Sequence, residues 1–253
     1  MRTKNSILIT GASKGIGAAL AVEYAGPENF LAISGRNADR LHAIAQQCRN
    51  KGAVVEIKIL DVTDLSGMSQ WISNVDARVC LDLVIANAGI AGGVDGAGKG
   101  PAATRKIFKT NIDGVINTVI PILNSMEKRG IGQIAIMSSL GAFRGSPSTP
   151  AYSATKAAVR VWGEGLRARY AVNGIKISVI CPGFVQTGMT ANNPFPMPLI
   201  ISSGKAAKII RRGLERNTAR IAFPRRMYFF AWLFGVLPPS LSDWLMPKVV
   251  LKE

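Results

Sequence analysis

Tyr152 and Lys156 stand four residues apart in AYSATKAAVRVWGEGL, thirteen residues after Ser139, a spacing that can assemble a proton donor for carbonyl chemistry. On a helix, side chains four apart share one face. A free phenol titrates near pH 10 (about), so it loses its proton near neutrality only beside a positive charge that favours the phenolate. Lys156 offers such an ammonium one turn along. A YxxxK pair alone is common, and is ordinarily a partly buried tyrosine beside a solvated lysine; its company is what distinguishes this one.

That company begins near the N-terminus. SILIT (residues 6–10) reads as a short buried strand, GASKGIG as a glycine turn, and AALAVEYA as a helix. Gly11, Gly15 and Gly17 allow a tight turn, close backbone approach and close packing of helix on strand, while the helix N-terminus offers unpaired N–H groups to a pyrophosphate. A glycine cluster is more often only a turn, but its place between strand and helix favours a phosphate cradle. The spacing is TGxxxGxG rather than the commoner GxGxxG.

From about residue 4 to residue 190 the chain resembles the short-chain dehydrogenase/reductase family, on five motifs in order: TGASKGIG (10–17), LDV with Asp61, ANAG (86–89), Asn111 in KTNIDG with Ser139 and YSATK, and PGFVQT (182–187). One position departs from the pattern. The family commonly has asparagine where Ala86 stands, so the turn after the fourth strand loses a side-chain hydrogen bond and depends on backbone N–H groups.

The resemblance implies a doubly wound parallel sheet, the Rossmann fold, with Tyr152 as general acid in reduction and base in oxidation. Lys156 then favours the ionised phenol and holds the nicotinamide ribose, Asn111 holds a water that carries protons through the lysine, and Ser139 bonds the substrate oxygen. A fixed donor strengthens as negative charge grows on that oxygen. Ser139 is chosen over Ser138 on the family spacing, Ser138 being read as the strand end. The implied cofactor contacts are Gly11, Ser13, Lys14, Gly15, Ile16 and Gly17 in the glycine loop; Arg36; Asp61 at the adenine edge, with Val62; Asn87, Ala88 and Gly89 on the adenosine ribose side; Tyr152 and Lys156; and Pro182, Gly183, Val185 and Thr187 beside the nicotinamide. Relatives pair through the long helices that carry Asn111 and Tyr152, which implies a homodimer or homotetramer.

Charge bears on the choice of cofactor. A Rossmann strand selective for NAD usually ends in an acid that binds the ribose hydroxyls, whereas here it ends SGRN, placing Arg36 where that acid would be. Lys14 adds a second cation nearby. Both suit a phosphate, so the expected cofactor is NADP(H), with NAD(H) as the alternative, although two solvated cations are unremarkable among 31 basic residues.

The 253 residues, 48% apolar, suffice for one α/β domain with a sizeable core. The apolar runs FLAIS, VVEIKIL, LDLVIA, GQIAIMS and IKISVI alternate with helical stretches, which predicts a parallel sheet covered on both faces. Ligands of such sheets bind beyond the carboxyl ends of the strands, where all five motifs fall. We divide the single domain (1–253) into a core, a substrate lid at about 188–204 and a C-terminal extension from 205; residues 88–100 read as a glycine-rich mobile loop. Cys48, Cys80 and Cys181 are odd in number and widely spaced, suggesting neither a disulfide framework nor a metal site. His42, the lone histidine, removes a Ser-His-Asp hydrolase. No signal peptide is evident, and the expected location is the cytoplasm, with membrane-surface association as an alternative.

The lid segment GMTANNPFPMPLIISSG is poor helix material but a good adaptable apolar cover. Beyond it, residues 205–226 hold eight basic residues against one acidic, and MYFFAWLFGVL follows. That apolar run is too short to span a hydrocarbon core, which needs roughly twenty residues. It suits a membrane surface, a cover over the cleft or a subunit contact equally. The net charge of +16 comes with no nucleic-acid motif, so nucleic acid is not an expected partner. The sequence reads as an NADP(H)-dependent oxidoreductase reducing an apolar ketone of lipid, steroid-like or fatty-acyl type. A sugar- or polyketide-type carbonyl substrate is the runner-up. A non-catalytic dinucleotide-binding scaffold is a third reading, disfavoured because such proteins usually lose part of the tyrosine and lysine pair.

Overall fold

The computed structural model describes residues 5–91, 100–191, 196–238 and 240–242. Six strands and six helices alternate through the first two thirds of the chain: β1 (Asn5–Ile9), α1 (Gly15–Tyr24), β2 (Asn29–Gly35), α2 (Ala38–Arg49), β3 (Val54–Ile59), α3 (Leu65–Val79), β4 (Leu83–Ala86), α4 (Pro101–Phe108), α5 (Gly114–Arg129), β5 (Gly132–Met137), α6 (Pro150–Tyr170) and β6 (Ile175–Pro182). Then follow β7 (Val185–Gln186), β8 (Ile201–Ser202), α7 (Ser203–Glu215), β9 (Arg220–Phe223) and α8 (Arg225–Val236). The main sheet has the order β3-β2-β1-β4-β5-β6-β9, and every pairing is parallel.

Alternation along each strand builds two cores. Ile7 and Ile9 of β1, with Leu31 and Ile33 of β2, face a layer made with α1, α2 and α7. Leu8, Phe30 and Ala32 face the opposite layer, made with α3, α5 and α6. Both faces are buried, so the strands read as continuous apolar runs rather than alternating ones. Local signals start the helices: Asn37 accepts from Arg40 N at 2.9 Å to cap α2, and Asp64 accepts from Gly67 N at 3.0 Å to cap α3.

The doubly wound sheet is as expected, but its far edge is not. β9 has the sequence RIAF, four residues between a helix and Pro224, too short to stand out by pattern. It becomes a strand because β6 has an open edge to pair with, from Val179–Arg220 to Pro182–Phe223. The basic stretch 205–226 is thereby divided among a helix, an edge strand and the start of α8. In α7, Ala206, Ala207, Ile210 and Leu214 are buried while Lys205, Lys208 and Arg212 stay exposed, the amphipathic arrangement of an ordinary surface helix. Most of the proposed glycine-rich loop (92–99) and part of the lid (192–195) lie outside the described residues.

Candidate functional site

The four residues singled out for chemistry meet at the carboxyl end of β5. Ser138 and Ser139 follow β5 directly. Pro150 sits at the start of α6, where its missing N–H has no helical partner to lose, so Tyr152 and Lys156 fall on the first two turns. Ser138 Oγ donates to the Lys156 carbonyl at 2.8 Å and ties helix to strand. Ser139 is freed for the cleft: its Oγ accepts from Gly141 N at 3.0 Å and hydrogen-bonds the Tyr152 side chain. Lys156 is 3% exposed, donates from Nζ to the Met137 carbonyl at 2.9 Å, and lies 5.7 Å from the centre of the Tyr152 ring.

Asn111 occupies a π-helical turn, Lys109–Asp113, inserted between α4 and α5. Such insertions are frequent at functional sites. Its amide is wholly buried: Oδ1 accepts from Ile90 N at 2.8 Å, and Nδ2 donates to Ile90 O at 2.9 Å and to Thr155 Oγ1 at 3.0 Å. Gly89 lets this happen, since a Cβ there would stand 3.2 Å from both Asn111 Oδ1 and Lys156 Nζ. Thr155, Ile90 and the Met137 carbonyl were absent from the sequence reading. Thr155 alone carried a signal, a small polar residue on the buried face of α6 between Tyr152 and Lys156.

Burial pushes the Tyr152 phenol above its ordinary value, against the opposing hydrogen bond of Ser139. Burial also pulls the Lys156 ammonium down to about 8. Desolvation thus sets the direction of both shifts, and the phenol is raised where the sequence predicts a lowering. The arrangement holds a protonated phenol beside an amine that releases its proton readily. Cys181, beneath them, is pushed up to about 11 by burial and stays a neutral thiol.

A second set of residues forms a cradle between β1 and α1. Gly11 and Gly15 have φ of +67° and +60°, which side-chain-bearing residues rarely adopt. A Cβ on Gly11 would come within 2.8 Å of Ala88 Cα, and one on Gly17 would collide with Asn87 Nδ2. Asn87 braces this turn: its amide donates to Thr10 O at 2.9 Å and Gly11 O at 3.2 Å. Thr10 Oγ1 in turn accepts from the Asn87 and Ala88 N–H groups at 3.2 and 3.3 Å. The Asn87 side chain, expected along a ribose, is spent on the chain itself, and Thr10 does the bracing at the turn where Ala86 carries no polar group. Lys14 heads α1 with no side-chain cap, leaving that N-terminus open to an anion.

Arg36 and Asp61 flank the cradle at the ends of β2 and β3, 3.5 Å apart and both substantially exposed. Burial alone would raise the Asp61 carboxyl, but hydrogen bonds from Thr63 N and Oγ1, with the Arg36 guanidinium, hold it below the usual carboxylate range. Val62 is buried against Gly114, its carbonyl accepting from Asn117 Nδ2 at 2.9 Å. On the other side, Thr187 lies against Gly15, and Gly188 lies near the Lys14 ammonium, so PGFVQT closes over the glycine loop. Val185 is buried in β7, and Gly183 N donates to the Phe223 carbonyl at 2.7 Å. Ser13 packs against Gly35, and Ile16 packs on the α1 side of the core.

α8 roofs this end of the sheet. Met227, Tyr228 and Ala231 pack on Leu140, Val179 and Cys181 with Phe143, but Phe229, Phe230 and Trp232 point away. Only part of the aromatic segment is thus packed against the rest of the fold.

Residues 5–195 match the family model of short chain dehydrogenases. The chain belongs to that family. An uncharacterized oxidoreductase of Myxococcus xanthus is 36% identical over 238 residues, 93% of this chain and 94% of the relative. The human 17-beta-hydroxysteroid dehydrogenase 13 is 27% identical, over 93% of this chain and 80% of its own. Among solved structures, a short-chain dehydrogenase from Sphingobium yanoikuyae in complex with NADPH superposes with a TM-score of 0.80 at 24% identity, covering 98% of each chain. One from Mycobacterium paratuberculosis bound to NAD gives 0.75 at 21%, covering 87% of this chain and 95% of that one. This dehydrogenase is thus an oxidoreductase acting on CH–OH groups. Among the described residues no acidic, cysteine or histidine cluster could hold a metal, and no helix is long and apolar enough to cross a membrane.

Proposed function

We propose that this short-chain dehydrogenase reduces an apolar ketone to a secondary alcohol with NADP(H). The observation that carries the reading is the convergence of Ser139, Tyr152, Lys156 and Asn111 beside the glycine cradle, with the phenol kept protonated by burial. The dinucleotide fits what is present: the space that a Cβ on Gly11 or Gly17 would fill is left clear, and the head of α1 is uncapped. Backbone N–H groups there would hold the pyrophosphate, Asp61 the adenine side, Lys156 the nicotinamide ribose, and Thr187 the carboxamide. When bound, the cofactor supplies hydride.

The protein's own part is to place the ketone and move a proton. Ser139 Oγ donates a hydrogen bond to the substrate oxygen, and Tyr152 Oη delivers the proton as negative charge grows there. Lys156, held by the Met137 carbonyl, restores the phenol proton, and the Asn111 turn keeps Gly89 and the lysine in register. In the oxidising direction Tyr152 accepts the proton. Arg36 and Lys14 support a preference for the 2′-phosphate, since Arg36 is exposed and needs only to turn from Asp61. Exposed Met189 and Leu199, flanking residues outside the described set, suit an apolar lid. The name of the human relative, a steroid dehydrogenase, agrees with an apolar substrate. Phe108, Ile116, Ile120 and Val161 leave apolar surface exposed on α4, α5 and α6, which supports pairing of two copies there.

NADPH oxidation measured across a panel of cyclic, steroid-like and long-chain ketones tests the reading. Turnover confined to sugar carbonyls would replace the substrate class, and higher kcat/KM with NADH than with NADPH would remove the cofactor assignment.

A further inference from the structure

α8 is apolar around nearly its whole circumference, yet none of its residues is fully buried. A helix of that composition ordinarily lies inside a protein. Its inner face is accounted for. Besides the packing on Leu140, Val179 and Cys181, Tyr228 meets Phe143 edge to face at 5.5 Å and accepts from Arg220 Nη1 at 2.9 Å. Gly235 lies so close to the Phe143 carbonyl that a Cβ there would approach to 2.6 Å.

With about 3.6 residues per turn, the opposite arc carries Arg225, Arg226, Phe229, Phe230, Trp232, Leu233 and Val236. Phe229, Phe230, Trp232 and Val236 are 56, 57, 45 and 59% exposed. Phe229 touches Phe230 at 5.7 Å and Trp232 at 6.4 Å between ring centres, so the rings form one patch. Arg225 and Arg226 are exposed at its head, and α8 itself contains no acid.

We propose that α8 docks this chain on an anionic lipid bilayer. The helix lies in the plane of the surface, with the Phe229, Phe230, Trp232 and Val236 side chains in the acyl boundary and Arg225 and Arg226 at the lipid phosphates. Aromatic rings backed by cations are the composition of an interfacial helix. Twelve residues rise about 18 Å, well short of a hydrocarbon core. Charge favours a bilayer over a second copy: each chain carries a net charge of +16, so a pairing through a face headed by Arg225 and Arg226 brings like charge to like charge. An anionic surface receives them instead. Docking does not depend on the proposed reaction.

Co-sedimentation of the full chain with phosphatidylcholine vesicles, with and without phosphatidylglycerol, tests this at low and high salt. The chain should pellet with the anionic vesicles at low salt and be released as salt rises. Phe229→Gln/Phe230→Gln should abolish pelleting, and Arg225→Gln/Arg226→Gln should weaken it by roughly twenty-five-fold, about fivefold per arginine. Circular dichroism and NADPH binding should be unchanged in both variants. Failure of the wild type to pellet with anionic vesicles at low salt overturns the proposal, as does full binding by the phenylalanine variant. A fall in solution mass of that variant, measured by light scattering, would give the face to a second copy and equally overturn it.

Discussion

The catalytic cluster and the outer face of α8 lie on the two sides of the same turn, Leu140–Ala142 with Phe143, and they are finished in opposite ways. In the cluster nearly every polar atom has a fixed partner, most often a backbone group: Asn111 on Ile90, Lys156 on Met137, Ser138 on Lys156. On α8 four large apolar side chains have solvent where a partner belongs. The first region is internally complete and therefore rigid, which is what positioning a proton requires. The second leaves its outer face uncovered among the described residues. Phe143 joins them, with the Arg160 guanidinium 4.7 Å and that of Arg220 5.3 Å from its ring centre, and Arg220 Nε reaching Glu164 at 2.9 Å.

If that contrast holds, the largest effect belongs to Tyr152→Phe, which removes the proton donor and leaves packing intact. Turnover should fall by about 10²–10⁴-fold, while NADPH affinity measured by fluorescence titration stays within a few-fold. Asn111→Ala comes next, because it strips two partners from Ile90 and one from Thr155 in a buried site. It should cost about 2–4 kcal/mol of stability in denaturant titration, besides slowing turnover.

The third test uses pH. Lys156 in the folded protein is lowered to about 8 from an ordinary 10.5, so the folded state carries the penalty of a buried ammonium below pH 8. The unfolded chain binds more protons between those values, so this residue's contribution to stability rises with pH across that window. Activity should move the other way: kcat/KM for NADPH, a free-enzyme quantity, should decline as pH rises through about 8 while thermal stability improves. A residue serving only packing would move the two together. The smallest effect on the fold belongs to Phe229→Gln/Phe230→Gln, within about 0.5 kcal/mol by thermal unfolding; a larger loss would mean that these rings belong to the core after all.

Legibility in the sequence followed the range of the interactions. The glycine turn and the Tyr152–Lys156 spacing act within a few residues, so they could be read along the chain. Asn111 was identified through the family likeness alone, since a mid-helix asparagine is ordinarily solvated; its bonds to Ile90 and Thr155 span 21 and 44 residues. Asn87 shows the converse. Its place in ANAG pointed to a ribose, but contacts with Thr10 and Gly11, more than 70 residues away, put its amide to structural use.

By itself, then, the sequence determined the alternation of strand and helix, the two-sided sheet and the glycine turn between β1 and α1, because each depends on local spacing and periodicity. The tertiary structure alone decided that RIAF becomes a seventh strand, that burial raises the Tyr152 phenol, and that α8 turns Met227 and Tyr228 inward and Phe229 and Phe230 outward. Those outcomes depend on which surfaces the rest of the fold leaves open and how far water is excluded, neither of which is written in any single segment.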